Sequence, residues 1–254
     1  MKMVIILDNK YKILLNEEIA KDTYKLMFAI DFKDKISPGQ FINIKIEDSY
    51  KFLLRRPISV CDCTNSTLTI IYKILGEGTK VLSEKKENEY LDILLPLGNG
   101  FKINKEHKSQ LLIGGGVGIP PLYLLGKRLK ENNIKFKVVL GFNTLDDIFL
   151  VEEFKALGAS VFVSTIDGSF GTKGNVIDTI KQRNIDYEYY YTCGPKKMLM
   201  SLAKSNKLGQ LSFEERMGCG FGACMGCSCK TKTSYVRICK EGPVLESSEV
   251  ILNG

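Results

Sequence analysis

Four cysteines, Cys219, Cys224, Cys227 and Cys229, fall close together near the end of the chain, and Cys239 follows them. The first three stand at C-x4-C-x2-C, the spacing of plant-type 2Fe–2S ligation, which takes one further cysteine from farther along the chain. A cluster with inorganic sulfides carries negative charge that backbone amides must offset. Gly220, Gly222 and Gly226, set between these cysteines, let a loop wrap closely enough to do so. A four-cysteine zinc knot is the competing reading, but it usually shows two C-x2-C pairs. Two residues compete for the fourth position. In an extended stretch Cys229 would follow Cys227 onto one face, yet both on one cluster would compress a three-residue bite. Tyr235–Ile238 reads as a separate strand that Cys239 ends, which is where the plant-type pattern draws its last thiolate. The expected metal ligands are therefore Cys219, Cys224, Cys227 and Cys239, with Cys229 a small buried thiol.

Three further motifs carry chemistry. Gly114, Gly115, Gly116 and Gly118 lead through Ile119 into Pro120 and Pro121, after one apolar run and before another. Glycines let a pyrophosphate approach the backbone, and a helix N-terminus favours its charge. The pattern departs from G-x-G-x-x-G, since Pro121 falls where the third glycine would stand, and a packing turn is the plainer reading. Arg55-Arg56-Pro57-Ile58-Ser59 offers a planar guanidinium fork for phosphate and a hydroxyl for a flavin edge; alone, a solvated arginine pair accounts for it. Cys193-Gly194-Pro195 directly follows an apolar run. The carboxyl ends of strands in an open α/β sheet form the ligand crevice, although a buried cysteine is the default.

The elements that must hold these motifs change along the chain. Up to about residue 100, short runs at Tyr24–Ile30, Phe41–Ile46, Leu68–Ile74 and Leu91–Leu95 are separated by turn signals such as Ser37-Pro38-Gly39 and Gly76-Glu77-Gly78. This predicts a small antiparallel β-barrel. From Gln110 strands alternate with helices. Strands are expected at Gln110–Ile113, Phe136–Leu140, Ser160–Ser164 and Tyr187–Thr192. Helices are expected at Pro121–Asn132, Asp147–Leu157, Val176–Gln182 and Lys196–Lys204. That alternation means a parallel sheet with helices on both faces. The fold class is thus α+β multidomain: a barrel over 1–102, an α/β nucleotide-binding domain over 103–209 and a small iron–sulfur domain over 210–254. The last is too cysteine- and glycine-rich to form a core without a metal or a partner surface.

Composition narrows the function classes. With 44% hydrophobic and 26% charged residues, the chain is a globular protein rather than a disordered one. The net charge of +7 comes from lysines scattered through acidic company, not from a basic patch with interleaved aromatics, so nucleic acid is not the expected partner. The single histidine, His107, removes most histidine-based catalysis. No apolar run reaches the roughly 18 residues of a membrane span. The start at Met3–Leu7 lacks a signal-peptide layout, and clustered cysteines favour a metal centre over a disulfide framework. The expected location is cytoplasmic.

Taken together, the barrel with R-x-x-S, the strand with GGGxGxxP and the strand with CGP resemble the ferredoxin–NADP reductase superfamily. The cysteine loop after Phe213-Glu214-Glu215-Arg216-Met217, the Pro96–Phe101 junction and the Ile238–Val244 tail narrow the resemblance to the electron-transfer subunits of type B dihydroorotate dehydrogenase. That resemblance implies FAD held by Arg56, Pro57, Ile58 and Ser59, by Ile71, Tyr72 and Lys73, and by Gly78 and Thr79. Where the superfamily usually has a tyrosine stacked on the flavin, this chain has Ile58, so that face of the ring is covered differently. NAD(H) is implied at Gly114, Gly115, Gly116, Gly118 and Pro120, with Cys193, Gly194 and Pro195 near the nicotinamide. The absence of Arg or Lys from Gly141–Asp147 favours NAD over NADP. The fourth ligand also falls on Cys239. The implied partner is an FMN-containing dihydroorotate dehydrogenase catalytic subunit, two of each chain, in pyrimidine (UMP) biosynthesis. Electrons would pass through the 2Fe–2S cluster and FAD to NAD⁺, with no catalytic acid or base in this chain. The alternatives are another flavin/iron–sulfur NAD(P)H reductase or transhydrogenase subunit, and a cluster-bearing redox sensor.

Overall fold

The computed structural model describes residues 9–31, 36–47 and 50–251; the apolar run Met3–Leu7 lies outside them. Six strands close the N-terminal barrel: β1 (Lys10–Ala20), β2 (Thr23–Ala29), β3 (Phe41–Lys45), β4 (Arg56–Cys63), β5 (Thr67–Lys73) and β6 (Tyr90–Leu97), in the order β1-β2-β5-β4-β3-β6. Alternating side chains fill its interior, among them Ile13, Leu26, Phe28, Ile42, Ile44, Val60, Leu68, Ile70 and Ile93. Two of these strands, β1 and β4, are additional to the expected set. A register shift between Ile13 and Leu15 breaks the alternation of β1, and β4 begins on the Arg-Pro pair. Helix α1 (Glu77–Glu84) replaces the expected turn at Gly76–Gly78. Thr79 Oγ1 accepts the Gly76 N–H at 3.3 Å and donates to the Gly76 carbonyl at 3.0 Å, which winds its first turn.

The second unit is a seven-stranded sheet. Its strands are β7 (Gln110–Gly115), β8 (Phe136–Phe142), β9 (Ser160–Thr165), β10 (Thr172–Lys173), β11 (Tyr189–Cys193), β12 (Leu208–Ser212) and β15 (Val244–Glu246), in the order β10-β9-β8-β7-β11-β12-β15. All neighbours run parallel except β15, which pairs antiparallel with β12. The expected division after residue 209 falls within β12, and β15 returns the C-terminal segment to the sheet. Helices α2 (Pro120–Glu131), α3 (Val151–Ala156), α4 (Val176–Gln182) and α5 (Lys196–Ala203) pack against it. The helix expected over Asp147–Leu157 starts late. Residues Leu145–Asp147 form a 3₁₀ turn, Leu150 takes φ 62° and α3 begins at Val151. Asp147 closes that turn as its capping-box residue, its carboxylate accepting the Thr144 N–H at 3.2 Å and hydroxyl at 3.1 Å, and the chain leaves helical geometry after it, at Ile148 (ψ 130°).

Between β12 and β15 lie the cysteine loop and a hairpin, β13 (Ser228–Lys230) with β14 (Tyr235–Arg237). This segment shares a core with both larger units. Cys227, Ile238, Cys239 and Leu245 are buried with Phe41 of β3 and with Leu111, Ile113 and Leu211 of the sheet. No helix among the described residues is long and apolar enough to cross a membrane.

Candidate cofactor sites

The first site lies on the barrel. A cavity of about 260 Å³ is lined by Arg56, Pro57, Ile58 and Ser59 of β4, by Ile71, Tyr72 and Lys73 of β5, and by Thr79 of α1. Its remaining wall comes from Val117 and from chain-distant residues, including Phe213, Glu214, Met217 and Pro243. Strand pairing explains the convergence, since Arg56–Ser59 are in register with Phe41–Ile44 of β3. Gly78 does not line the cavity but sits against Arg56: a Cβ there would stand 2.6 Å from the guanidinium. The guanidinium carbon lies 5.5 Å from the Phe52 ring, and the group donates to the Leu54 carbonyl. Two expected groups are otherwise engaged. The Tyr72 hydroxyl donates to Asn16 Oδ1 at 3.1 Å, and the Lys73 ammonium is paired with Asp147 at 2.6 Å.

The second site is a cleft of about 490 Å³ at the carboxyl ends of the parallel strands, the ligand crevice of an open α/β sheet. Gly115, Gly116, Gly118, Gly194 and Pro195 line it. Gly114, Pro120 and Cys193 stand behind its wall. A Cβ on Gly118 would lie 2.5 Å from the Cys193 carbonyl and one on Gly115 would lie 2.9 Å from the Pro195 ring, so the two motifs pack too closely for side chains at these glycines. Burial, with the Glu214 charge after it, pushes the Cys193 thiol up to about 12. That thiol is a packed group rather than a nucleophile. Asn143, Asn175, Met198 and Glu214 also line the cleft and went unnoticed in the sequence as nucleotide-site residues. The rule that ligands meet strand ends could have singled out Asn143 and Asn175, whereas Glu214 had no such signal. The two cavities share Lys73, Val117 and Glu214. Protein atoms crowd the Glu214 carboxyl, and this burial raises its pKa.

The third site is the cysteine loop. Positive φ at Gly220 (79°), Gly222 (90°) and Met225 (61°) coils it and turns amides toward sulfur. The N–H groups of Ala223 and Cys224 donate to Cys219 Sγ at 3.2 and 3.5 Å, that of Gly226 to Cys224 Sγ at 3.4 Å and that of Cys239 to Cys227 Sγ at 3.4 Å. Burial opposes ionisation of Cys219, but the backbone N–H groups of Cys224, Phe221 and Ala223 outweigh it and hold the thiol at about 6. Cys239 is pushed up to about 12, by burial first and then by its neighbour Cys227. Cys229 has a different company: burial and the Glu215 charge raise its pKa, and Lys196 lowers it. Among the described residues no three His, Cys, Asp or Glu side chains are grouped as a single ion needs. The fit of a cluster therefore rests on the inward amides, the arrangement that offsets an anionic iron–sulfur core.

Comparisons with known proteins bear on the second and third of these regions and on the chain as a whole. Residues 112–204 match the family described as the oxidoreductase NAD-binding domain. Residues 214–251 match the iron–sulfur cluster binding domain of dihydroorotate dehydrogenase B. The chain is 46% identical over 247 residues to the dihydroorotate dehydrogenase B (NAD(+)) electron transfer subunit of Fusobacterium nucleatum, covering 92% of this chain and 95% of that one. It is 43% identical over 258 residues to the same subunit of Lysinibacillus sphaericus, covering 98% and 100%. Among solved structures it is similar to an NADH-dependent reduced ferredoxin–NADP oxidoreductase described for flavin-based electron bifurcation. The TM-score is 0.86 at 29% identity, covering 100% of this chain and 92% of that one. The cytochrome b5 reductase domain of Ulva prolifera nitrate reductase shares the fold, with a TM-score of 0.61 at 18% identity over 75% of this chain and 88% of that one. With identity at this level over nearly the whole length, spanning the strand-end cleft and the cysteine loop alike, the chain belongs to the family of electron-transfer subunits of NAD⁺-dependent dihydroorotate dehydrogenase B.

Proposed function

We propose that this chain receives electrons from an FMN-containing dihydroorotate dehydrogenase catalytic subunit and delivers them to NAD⁺ through a 2Fe–2S cluster and FAD, in pyrimidine biosynthesis. One observation carries the reading: the barrel cavity and the strand-end cleft share Lys73, Val117 and Glu214, while the segment leading to the cysteine loop walls the barrel cavity through Phe213–Glu215 and Met217. Three binding regions thus adjoin within one chain. Flavin supplies the conversion between one-electron and two-electron transfer that cluster and nicotinamide cannot make alone.

The residues of this chain bind and orient. Arg56 offers its fork to the FAD pyrophosphate, and Gly78 gives it room. Gly115–Gly118 bring backbone close to the nucleotide pyrophosphate at the start of α2. Asp147 ties up the Lys73 ammonium, one of two lysines lining the cleft with Lys197, and the preference for NAD over NADP rests on the absence of Arg or Lys from Gly141–Asp147. Cys219, Cys224, Cys227 and Cys239 are the thiolates assigned to the cluster. The partner would form an assembly of two of each chain.

The test is to load the isolated chain with FAD and cluster and mix it with NADH or dihydroorotate. NADH should bleach the flavin band and reduce artificial acceptors, while dihydroorotate should do neither until the FMN subunit is added. Dihydroorotate oxidation by this chain alone would refute the proposal. A cluster spectrum indifferent to NADH would instead favour a redox sensor, and turnover with a different donor subunit would favour another reductase.

A further inference from the structure

Strand β3 is apolar but for Asn43 and the Lys45 that ends it. Ile42 and Ile44 point into the barrel core, whereas Phe41 packs on the other side with Cys227, Ile238 and Cys239. Asn43 follows Phe41 by two residues and so shares that outer face. It is 1% exposed. Its Nδ2 donates to the Cys219 carbonyl at 3.2 Å. Among the described residues this is the one side-chain hydrogen bond from the barrel to the loop 219–227.

The loop is shaped to receive this amide. Gly220 takes φ +79°, and a Cβ there would stand 2.3 Å from Asn43 Nδ2. The other end of the amide tells the same story, because Asn43 Oδ1 is buried without a hydrogen-bond partner. An orphaned buried acceptor costs about 1–3 kcal/mol. Turning the amide over would set Oδ1 against the Cys219 carbonyl, acceptor facing acceptor. The orphan is thus the consequence of keeping the donor on the loop, and a polar group kept at such a cost calls for an explanation. In the barrel, Asn43 stands opposite Pro57 of β4, which lines the flavin cavity. The Arg55 guanidinium, held by Asp92 at 2.8 Å, donates to the Asn43 carbonyl at 3.4 Å.

We infer that Asn43 is a positioning residue for electron transfer, fixing Cys219 of the cluster loop at a set distance from the flavin strand. The inference rests on the proposed flavin and cluster sites. Electron transfer between two centres falls off steeply with their separation, so one hydrogen bond across the gap governs rate more than stability. On mixing with NADH, a hydride would pass to FAD and leave NAD⁺; of its two electrons one would go on to the two-iron cluster, which takes a single electron, and the other would stay on the flavin.

The test compares the holo-chain with Asn43→Ala and with Asn43→Leu, which keeps the shape but has no donor for the carbonyl. Flavin bleaching is followed by stopped flow, cluster reduction by freeze-quench paramagnetic resonance, and loop mobility by amide hydrogen exchange at Gly220–Cys224. In both variants the ratio of cluster-reduction rate to flavin-reduction rate should fall severalfold. Exchange across the loop should quicken. An unchanged ratio in a variant that retains both cofactors would overturn the inference and leave the proposed function standing. Loss of flavin together with cluster would show a merely structural role and overturn it equally. A wild-type chain that takes up no two-iron cluster would overturn both.

Discussion

The Lys73–Asp147 pair joins the barrel to the α/β unit, with the two side chains 25% and 13% exposed. Asp147→Asn removes its charge while leaving an oxygen to accept from the Thr144 N–H and hydroxyl, so the turn at 144–147 should keep its shape. A hydrogen bond to a charged group contributes about 1.5–3 kcal/mol. The partial exposure of both groups argues for the middle of that range, about 2 kcal/mol, discounted from the larger cost of breaking a fully buried pair. For a chain of this length each kcal/mol moves the melting midpoint by about 2–4 °C, so the variant should melt about 4–8 °C lower at pH 7. The pH dependence is a second check. Burial opposes ionisation of Asp147, but the Lys73 hydrogen bond and charge outweigh it, helped by Thr144, and its pKa is lowered. A carboxylate with a depressed folded pKa stabilises the fold fully above its unfolded value, about 3.9, and loses that contribution as pH falls through the folded one. The gap in midpoint between wild type and variant should therefore hold from pH 7 to about 5 and close below about 4. Differential scanning calorimetry of both proteins across that range measures it. A gap under about 1 °C at pH 7, or one as wide at pH 3 as at pH 7, would refute the assignment of an interdomain ion pair.

Two further predictions concern the cofactors. Arg56→Ala should cost about 1.5–3 kcal/mol of FAD binding, the value of a charged hydrogen bond, which is about ten- to a hundredfold in affinity. Flavin should then wash out on gel filtration while cluster absorbance stays, and unchanged FAD stoichiometry would count against Arg56 as the clamp. For the fourth thiolate, Cys239→Ser should lose or alter the cluster by iron content and paramagnetic resonance, and Cys229→Ser should leave the signal intact. The reverse pattern would show that the ligand set is misassigned.

Turn residues and short runs of β-branched and apolar residues reveal β2, β3, β5 and β6 from sequence, and only β2 and β5 pair with each other without a register shift. They miss β1, whose bulge shifts the pattern out of phase, and α1, whose glycine reads as a turn residue until Arg56 is seen lying on it. The helix expected from Asp147 splits instead into a capped 3₁₀ turn at 145–147 and α3 from Val151, because Ile148 is extended and Leu150 left-handed. Sites follow the same division. Motif residues at strand ends are legible because glycine and cysteine spacing encodes a backbone requirement. Met198, a wall of the strand-end cleft contributed by a distant element, has no local signature, and Glu214 is visible in the sequence only as part of the run that carries the resemblance.

The strand β3 shows how much a short apolar run can conceal. A run buried on alternate faces is expected on a barrel whose outside meets water, yet Phe41–Ile44 is buried on both. Its outer face is covered by the C-terminal segment, which is fastened at several points. Asn99 at the barrel's end donates to the carbonyls of Lys240, Glu241 and Gly242 at 2.9, 3.0 and 2.6 Å. The Phe213 N–H meets the Pro243 carbonyl at 2.9 Å, and β15 completes the sheet. A segment expected to need a metal or a partner surface for its core finds such a surface on the barrel and the sheet. The borrowed core has a consequence for electron transfer. A loop carried on a mobile tether would present its thiolates at a range of distances, and steep distance dependence would scatter the rates. Fastened to β3, β12 and the barrel's end, the cysteine loop instead has its spacing from the barrel cavity written into the fold.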